Sequence, residues 1–361
     1  MAVDTGGSIN GFTSSEITTL GYIALDHYLR NKPIDQIGRE RPFLAKLMKG
    51  KKTFPGGKSY IVEQVRKSYD SNFQWYFGSE EVSYNQKDTT RQTNFPWSGC
   101  HDGFSLNEDV LLANGITLTD NSGPSTNSGA EMLQLTNLFE ENIETLRLGF
   151  EEMLDRDLHV EGADPNAISG LDHLVALDPT VGTVGGIDRA TNEWWRNSAI
   201  SGSTDIVNDM EGMWRELTMH GGRPDFILAG SAFVDAFRDA CKDEIARYTI
   251  LKTTGQNAEM DPSINAENTS TGLHFQNTPI IWDPTMDSLD AESLGTSGVT
   301  PYSNRCYMLN TKHITLRPAA GHDMIARKPE RMYNSYQFYW ALTFKGALTM
   351  NRANAHGVIS I

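Results

Sequence analysis

The longest periodic pattern of hydrophobic residues lies between residues 129 and 160. Large apolar side chains recur there every three or four positions, so they line one face of a predicted helix. These positions are Met132, Leu135, Phe139, Ile143, Leu146, Phe150 and Met153. At 1.5 Å per residue the helix would extend on the order of 45 Å, longer than an ordinary globular helix. The opposite, acidic face carries Glu140, Glu141, Glu144, Glu151, Glu152 and Asp155.

A strand-type pattern occupies residues 58–106. Residues 58–69 and 88–97 predict the two strands of a long hairpin, with an aromatic run between them. The run contains Phe73, Trp75, Tyr76 and Phe77. Both strands are polar on much of each face, so the hairpin needs a neighbour to be stable. Aromatic side chains protruding into water would favour binding to another chain, whereas the alternative interpretation buries them in an ordinary core.

The C-terminal half alternates between helical and extended patterns, which predicts an α+β domain with a mixed sheet at its centre. Asp205 is a candidate N-cap for the first of these helices, and Gly221-Gly222 a stop. The predicted order is a helix at 205–220, a strand at 224–230, a helix at 231–246, strands at 279–282 and 305–316, and an extended run at 327–345.

Residues 170–197 concentrate glycines, β-branched residues and two adjacent tryptophans. Gly182, Gly185 and Gly186 predict positive φ angles or close backbone approach between short extended pieces. Trp194 and Trp195 then supply large apolar surfaces. This segment is therefore specialised for shape and packing.

The pattern of the first 57 residues predicts an extended arm, because prolines and a Gly-Gly pair interrupt short helical patches. The first apolar patch comprises Ile17, Leu20, Ile23, Ala24 and Leu25, and the second comprises Phe43, Leu44, Leu47 and Met48. The alternative is an ordinary pair of N-terminal helices packed on their own domain.

Charge is distributed unevenly over the 361 residues. The net charge is −15, which argues against a general nucleic-acid binder because phosphate contacts need an excess of Lys and Arg. Residues 1–60 carry +4 and the remainder carries −19. Arg39, Arg41, Lys51 and Lys52 are therefore candidates for docking on acidic surfaces of other chains, and a contact with DNA is the alternative.

Catalytic motifs are scarce. The sequence has no Gly-x-Ser-x-Gly elbow, phosphate loop, dinucleotide fingerprint or His-Glu-x-x-His helix. Cys100-His101-Asp102 places a thiol, an imidazole and a carboxylate side by side. Adjacent residues on a strand point to opposite faces, which disfavours a working Cys-His pair. We therefore interpret this segment as a loop closing the hairpin. The pair His322-Asp323 is interpreted as a turn. We expect no catalytic residue, cofactor or metal site.

Two further sets of residues are weak candidates for chemistry. Glu151, Glu152, Asp155 and Asp157 could attract a divalent cation, but helix-surface carboxylates are usually solvated or paired with arginine. The three cysteines are far apart and lack Cys-x-x-Cys spacing, so they predict neither a disulfide framework nor a zinc site. The N-terminus lacks a secretory pattern, and no segment has the length of a membrane span.

Three stretches resemble the major capsid proteins of tailed bacteriophages, the Hong Kong 97-type coat protein family. The first runs from Gly-Gly-Ile-Asp at 185–188 to Trp-Trp-Arg-Asn at 194–197. The second, RCYMLNTKHITL at 305–316, resembles the family's late strand, and the third, NRANAHGV at 351–358, resembles its polar C-terminal close. The order of features along almost the whole chain is also similar.

This resemblance implies an α+β, Hong Kong 97-like fold. It divides the chain into an N-terminal arm (1–57), an E-loop hairpin (58–106), a P-domain with a long spine helix (107–165), an A-domain (166–317), a P-domain return strand (318–345), and a C-terminal segment joining the A-domain (346–361). In that family the E-loop lies over the adjacent subunit. We therefore expect inter-subunit contacts from the aromatic run, from Arg39, Arg41, Lys51 and Lys52, from Glu151 and Glu152, and from Trp194 and Trp195.

The function implied by the resemblance is structural. Many copies would assemble as pentamers and hexamers into an icosahedral virion shell around double-stranded DNA, in the cytoplasm of a bacterial host. Expected partners are other copies of the chain, a separate scaffolding protein, a portal and decoration proteins. The alternatives are an encapsulin-like nanocompartment shell and a soluble hydrolase using Cys100 and His101.

Overall fold

The computed structural model describes residues 38–107, 109, 129–160, 166–219, 221–243, 270–291, 300–327 and 337–361. Its helices are α1 (Pro42–Lys49), α2 (Gly129–His159), α3 (Leu171–Leu174), α4 (Ile206–Met219), α5 (Ser231–Asp243) and α6 (Pro284–Ala291). The first predicted apolar patch of the arm lies outside the described residues, as do residues 328–336 of the extended run predicted at 327–345.

Within the described residues the strands divide among four sheets. In chain order they are β1 (Tyr60–Arg66), β2 (Thr90–Pro96), β3 (Ser98–Asn107), β4 (Thr183–Val184), β5 (Ile187–Asp188), β6 (Ser198–Ile200), β7 (Phe226–Ala229), β8 (Ser270–Phe275), β9 (Thr278–Trp282), β10 (Arg305–Leu309), β11 (Ile314–Pro318), β12 (Ile325–Arg327), β13 (Gln337–Met350) and β14 (Gly357–Ser360). The described residues form two units, one including Cys100–Glu152 and Met324–Phe344, and the other Arg39–Gly99, Met153–Asp323 and Lys345–Ile361.

A six-stranded mixed sheet forms the centre of the second unit, in the order β6-β14-β10-β7-β9-β8. The pairs β14–β6 and β7–β9 are parallel, and the other neighbours are antiparallel. Every residue of β7, β10 and β14 is buried. Burial on both faces explains why these strands are mostly apolar and do not alternate, with Arg305 at the start of β10 and Ser360 at the end of β14 as buried exceptions.

Helices α4 and α5 supply the apolar side chains that pack with this sheet. Met210, Met213 and Leu217 of α4 are buried together with Phe233 and Phe237 of α5. The backbone N–H of Asn208 donates to Oδ1 of Asp205 at 3.3 Å, so the predicted N-cap is confirmed. Gly221 has φ +74°, as a helix stop requires.

The predicted strand at 305–316 is in fact two strands belonging to different sheets. β10 joins the central sheet through β7 and β14, whereas β11 pairs with β13. Between them, the backbone N–H of His313 donates to the carbonyl of Asn310 at 3.0 Å and closes a turn. The apolar pattern is similar on both sides of this turn, so the break was not apparent from the sequence.

Strand β13 confirms the described part of the late extended run predicted at 327–345, beginning at Gln337, and continues past it to Met350. In the first unit, residues 341–343 pair with β12, and β3 also pairs with β13. In the second unit, residues 346–350 pair with β11. The backbone of Phe54 extends this part of the second unit, because its N–H donates to the carbonyl of Pro318 at 3.0 Å.

The long helix α2 confirms the strongest sequence prediction, but its buried face is different near the C-terminal end. Leu146, Phe150, Leu154 and Leu158 are buried, while Met153 is 51% exposed. Asp155, assigned to the acidic outer face, is completely buried. These buried residues recur every four positions, so the stripe rotates slowly around the helix and turns Asp155 and His159 inward.

Helix α1 packs on its own chain. Phe43, Leu44 and Leu47 are buried, and the ring of Phe43 meets that of His159 edge-on at 4.8 Å. The alternative of an ordinary packed N-terminal helix is therefore correct for the second apolar patch of the arm.

Candidate interaction site: an exposed aromatic hairpin

The predicted hairpin is confirmed as β1 paired with β2 in antiparallel register, from Tyr60 opposite Pro96 to Arg66 opposite Thr90. Its base is anchored to the rest of the second unit. Ile61, Thr93 and Phe95 are buried there, and Glu63 forms an ion pair with Arg317. The base of the hairpin is therefore fixed in part by a residue far from it in sequence.

The short turn formed by β4 and β5 seats the base of this hairpin. The N–H of Asn94 donates to the carbonyl of Gly185 at 2.8 Å. The predicted positive φ angles are present at Gly182 (+89°), Gly185 (+59°) and Gly186 (+75°). A Cβ at Gly185 would lie 3.0 Å from Cζ of Phe95, so only glycine allows this approach without displacement.

The loop joining β1 to β2 exposes an aromatic surface, here called the aromatic loop (residues 67–89). Phe73 is 75% exposed, Trp75 89% and Phe77 87%, so the alternative of an ordinary core is wrong. Tyr69, Tyr76 and Tyr84 are also exposed. The predicted aromatic run did not include Tyr69, which ends the first predicted strand, or Tyr84, which precedes the second.

The aromatic loop has internal hydrogen bonds that hold its shape. The side-chain amide of Asn72 donates to the carbonyl of Ser83 at 3.3 Å, and the N–H of Phe77 donates to Glu80 at 3.1 Å. The rings of Phe73 and Trp75 meet edge-on at 5.4 Å. An ordered loop with exposed rings loses less conformational entropy on binding than a fluctuating one.

Lys67 and Asp88 form an ion pair at the neck of the aromatic loop. The hydrogen bond from Lys67 lowers the pKa of Asp88 from its ordinary value. The N–H of Lys67 also donates to the carbonyl of Thr89 at 2.9 Å, which closes the neck beyond the last strand pair.

The two tryptophans proposed as contacts differ in their surroundings. Trp195 is only 1% exposed, and its indole N–H donates to the carbonyl of Val184 at 3.0 Å. Because its own chain covers it, Trp195 is withdrawn as a contact candidate. Trp194 is half-buried, and its indole N–H donates to Asn192.

The charged contact candidates lie mainly at the surface. Arg39, Lys51 and Lys52 are exposed, while Arg41 is half-buried. Lys51 forms an ion pair with Asp323, which lies in the turn predicted for His322-Asp323. Glu151 and Glu152 are half-buried on α2, and Glu151 accepts a hydrogen bond from Arg147 at 3.0 Å.

Cys100 and His101 do not form the arrangement that hydrolysis requires. They lie within β3, not in the loop expected for them, with Cys100 half-buried and His101 exposed. Successive side chains of a strand point to opposite faces, so the imidazole is directed away from the thiol. None of the three cysteines, all within described segments, is in a disulfide.

A cleft of about 840 Å³ lies beside the base of the hairpin and is lined by residues 64–69, Trp194 and Arg352, among others. The hydroxyl of Ser198 donates to Glu216 at 2.7 Å, and the ring of His313 contacts Asn351. The hydroxyl of Ser198 and the imidazole of His313 therefore contact different partners.

Asp155, His159 and Asp283 form a buried polar cluster, of which the sequence analysis named only Asp155. Their donor atoms lie within 4.8 Å of one another, which among the described residues is a spacing compatible with a metal ion. The Asp-x-x-x-His spacing on α2 was the available signal, because residues four apart share a helix face. Asp283, 124 positions further on, gave no such signal.

Among the residues described, no helix combines the length and the apolar character needed to cross a membrane.

The fold is similar to that of subunits in solved phage and GTA capsids. The capsid of cyanophage A-1(L) aligns with a TM-score of 0.60 over 91% of this chain and 95% of that chain, at 12% identity. The capsid of a native GTA particle aligns with a TM-score of 0.50 over 100% of this chain and 99% of that chain, at 10% identity. No protein-family model and no curated protein matches the sequence.

Proposed function

We propose that this chain is the structural major capsid protein of a tailed bacteriophage, and that many copies assemble into an icosahedral head around double-stranded DNA. The aromatic loop carries this proposal. Six aromatic side chains between Tyr69 and Tyr84 are each at least 68% exposed, which is costly for a chain that remains alone in water.

The occupant we assign to the aromatic loop is a second copy of the same chain. Covering one large apolar side chain contributes about 1.5–3 kcal/mol, so a few buried rings suffice for reversible pairing. Each subunit in a closed shell contacts several neighbours, and multivalency converts weak contacts into a stable particle. No single interface then has to be strong, and assembly errors stay correctable.

The finer assignments follow from the same proposal. Residues 58–106 would act as the E-loop, α2 as the spine helix of the P-domain, and the six-stranded sheet as the centre of the A-domain. The exposed cations Arg39, Lys51 and Lys52, half-buried Arg41 and Trp194, and the carboxylates of Glu151 and Glu152 would contribute to contacts between subunits.

The net charge of −15 suits a container for DNA, because a wall that bound phosphate tightly would oppose entry of the genome. A separate scaffolding protein, a portal and decoration proteins would complete assembly in the bacterial cytoplasm.

The test is to remove the apolar surface of the aromatic loop without removing the loop. Trp75→Ser combined with Phe77→Ser is expected to leave the circular dichroism spectrum unchanged and to abolish shells in negative-stain electron microscopy. Deleting residues 68–87 is expected to do the same. Val181 and Met219 are exposed apolar residues outside the loop, at 59% and 73%, so Val181→Ser with Met219→Ser is the matched control and should still form shells.

Normal particles from the Trp75/Phe77 variant would contradict the role of the loop. Particles of the unaltered chain, produced with its phage partners, are expected to contain nuclease-resistant DNA. Shells that enclose protein cargo in place of DNA would contradict the phage assignment and leave the assembly role standing.

A further inference from the structure

The imidazole of His159 touches a hydrogen-bond acceptor at each of its two nitrogens. Nδ1 lies 2.7 Å from the backbone carbonyl oxygen of Asp155, and Nε2 lies 2.9 Å from Oδ2 of Asp283. A neutral imidazole carries one N–H, so beside an ionised Asp283 one of these contacts would bring two lone pairs together. An imidazolium carries two N–H groups and satisfies both contacts.

We propose that Asp155, His159 and Asp283 form a proton-binding site that holds His159 as an imidazolium and thereby fastens the last turn of α2 to the residue preceding α6. The side chains of His159 and Asp283 are at most 1% exposed, so water cannot replace either partner. The inference concerns the folded subunit and does not depend on the proposed shell function.

The surroundings of the site are organised for this charge state. Oδ1 of Asp283 accepts a hydrogen bond from the backbone N–H of Thr285 at 2.9 Å. Oδ2 of Asp155 accepts one from the hydroxyl of Thr285 at 2.6 Å. Oδ1 of Asp155 has no hydrogen-bond partner and lies 3.9 Å from Nδ1 of His159. The positive charge of Arg41 acts on Asp155 in the same direction as that of His159, with a smaller effect: both lower the pKa of Asp155.

The pKa values of the cluster agree with its geometry. Burial alone would lower the pKa of His159, but the carboxylates of Asp283 and Asp155 reverse that effect and raise it from 6.5 to about 9. Burial raises the pKa of Asp155 from 3.8 to about 6, against the opposing charge of His159.

Both raised pKa values make the fold less stable as pH rises. The stabilisation from His159 is fully present below pH 6.5 and is lost as pH rises through about 9. That from Asp155 is fully present below pH 3.8 and is lost as pH rises through about 6. Above neutrality, the response of this cluster therefore belongs to His159.

A proton fits this arrangement better than a metal ion. A metal ion binds one ring nitrogen, with the other nitrogen donating to an outer partner. Here the carboxylate of Asp283 approaches Nε2, while that of Asp155 approaches Nδ1. The two carboxylates therefore flank different nitrogens and do not converge on one lone pair.

The experiment is urea unfolding of the full-length chain between pH 7 and 9, followed by tryptophan fluorescence. If the folded state binds one more proton than the unfolded state, each unit rise in pH within this window lowers the folding equilibrium constant by up to about tenfold. The unaltered chain should show this decline, and His159→Gln should lack it. His356→Gln is the matched control, because His356 is also completely buried but its pKa is lowered to about 3.

Asp155→Asn keeps the imidazole and removes one facing charge, so it should move the decline to lower pH. This variant keeps the test decisive if His159→Gln fails to fold. An identical slope in the unaltered chain and Asp155→Asn would overturn the proposal. Stoichiometric zinc or manganese in the purified chain, with EDTA-induced loss of stability, would also overturn it in favour of a metal site.

Discussion

Gly185 lies directly against the ring of Phe95. A Cβ at position 185 would be 3.0 Å from Cζ of Phe95 and 3.1 Å from Cβ of Thr93. This contact seats the β1–β2 hairpin on the β4–β5 turn, and so determines where the aromatic loop begins.

Replacing Gly185 with alanine is expected to destabilise the fold more than the same change at Gly182. Both positions have positive φ, so each substitution costs about 1 kcal/mol in backbone strain. Only position 185 adds overpacking, which typically costs a further ~1–3 kcal/mol, because nothing lies within 4 Å of a Cβ at 182. Urea unfolding of both variants measures the difference, and equal losses would show that Phe95 moves aside easily.

The buried Arg305–Asp172 pair should be much more important for stability than an exposed pair. Nη1 of Arg305 donates to Oδ1 of Asp172 at 2.7 Å, and the Arg305 side chain is 1% exposed. Arg305→Met leaves a largely buried carboxylate without its cation, so we expect a loss of about 3–5 kcal/mol in the free energy of unfolding.

Arg147→Met is the control for that measurement. Arg147 is 68% exposed and pairs with Glu151 four residues along α2, so its removal should cost only ~0.3–0.5 kcal/mol. Losses of similar size in the two variants would mean that Asp172 gains water when Arg305 is removed.

The three cysteines should differ in their reaction with thiol reagents. Burial raises the pKa of the Cys306 thiol, and the residue has no exposed surface, so neither thiolate nor reagent access is present in the folded chain. Cys100 and Cys241 are half-buried and should be labelled first. Mass spectrometry after alkylation at pH 8 should find Cys306 modified only in urea. Its labelling in the native chain would indicate local opening of β10.

His356 should weaken the fold on acidification. Burial lowers its pKa from 6.5 to about 3, with smaller contributions from the charges of His313 and Arg352. Its stabilising contribution is present above pH 6.5 and is lost as pH falls towards 3. His356→Gln should therefore lose stability less steeply than the unaltered chain between pH 6 and 4. Urea midpoints over this range measure the slope, and parallel slopes would contradict a neutral His356.

The sequence predicted local structure well wherever the signal was local. The 3.6-residue period defined α2, the capping residue Asp205 marked the start of α4, and the glycines at 182, 185 and 186 indicated positive φ. Each of these features depends on interactions among residues close together in the chain, which a sequence pattern records directly.

Only the tertiary structure decided which surfaces are covered. Asp155 and Met153 are two positions apart on α2, yet the polar residue is buried and the apolar one is half exposed. Trp194 and Trp195 are adjacent, and only Trp195 is enclosed. Burial is set by segments far apart in sequence, such as Asp283 beside His159 or Phe95 beside Gly185. The chain therefore specified its own helices and turns, whereas long-range packing decided that the aromatic loop stays exposed and that His159 lies between two carboxylates.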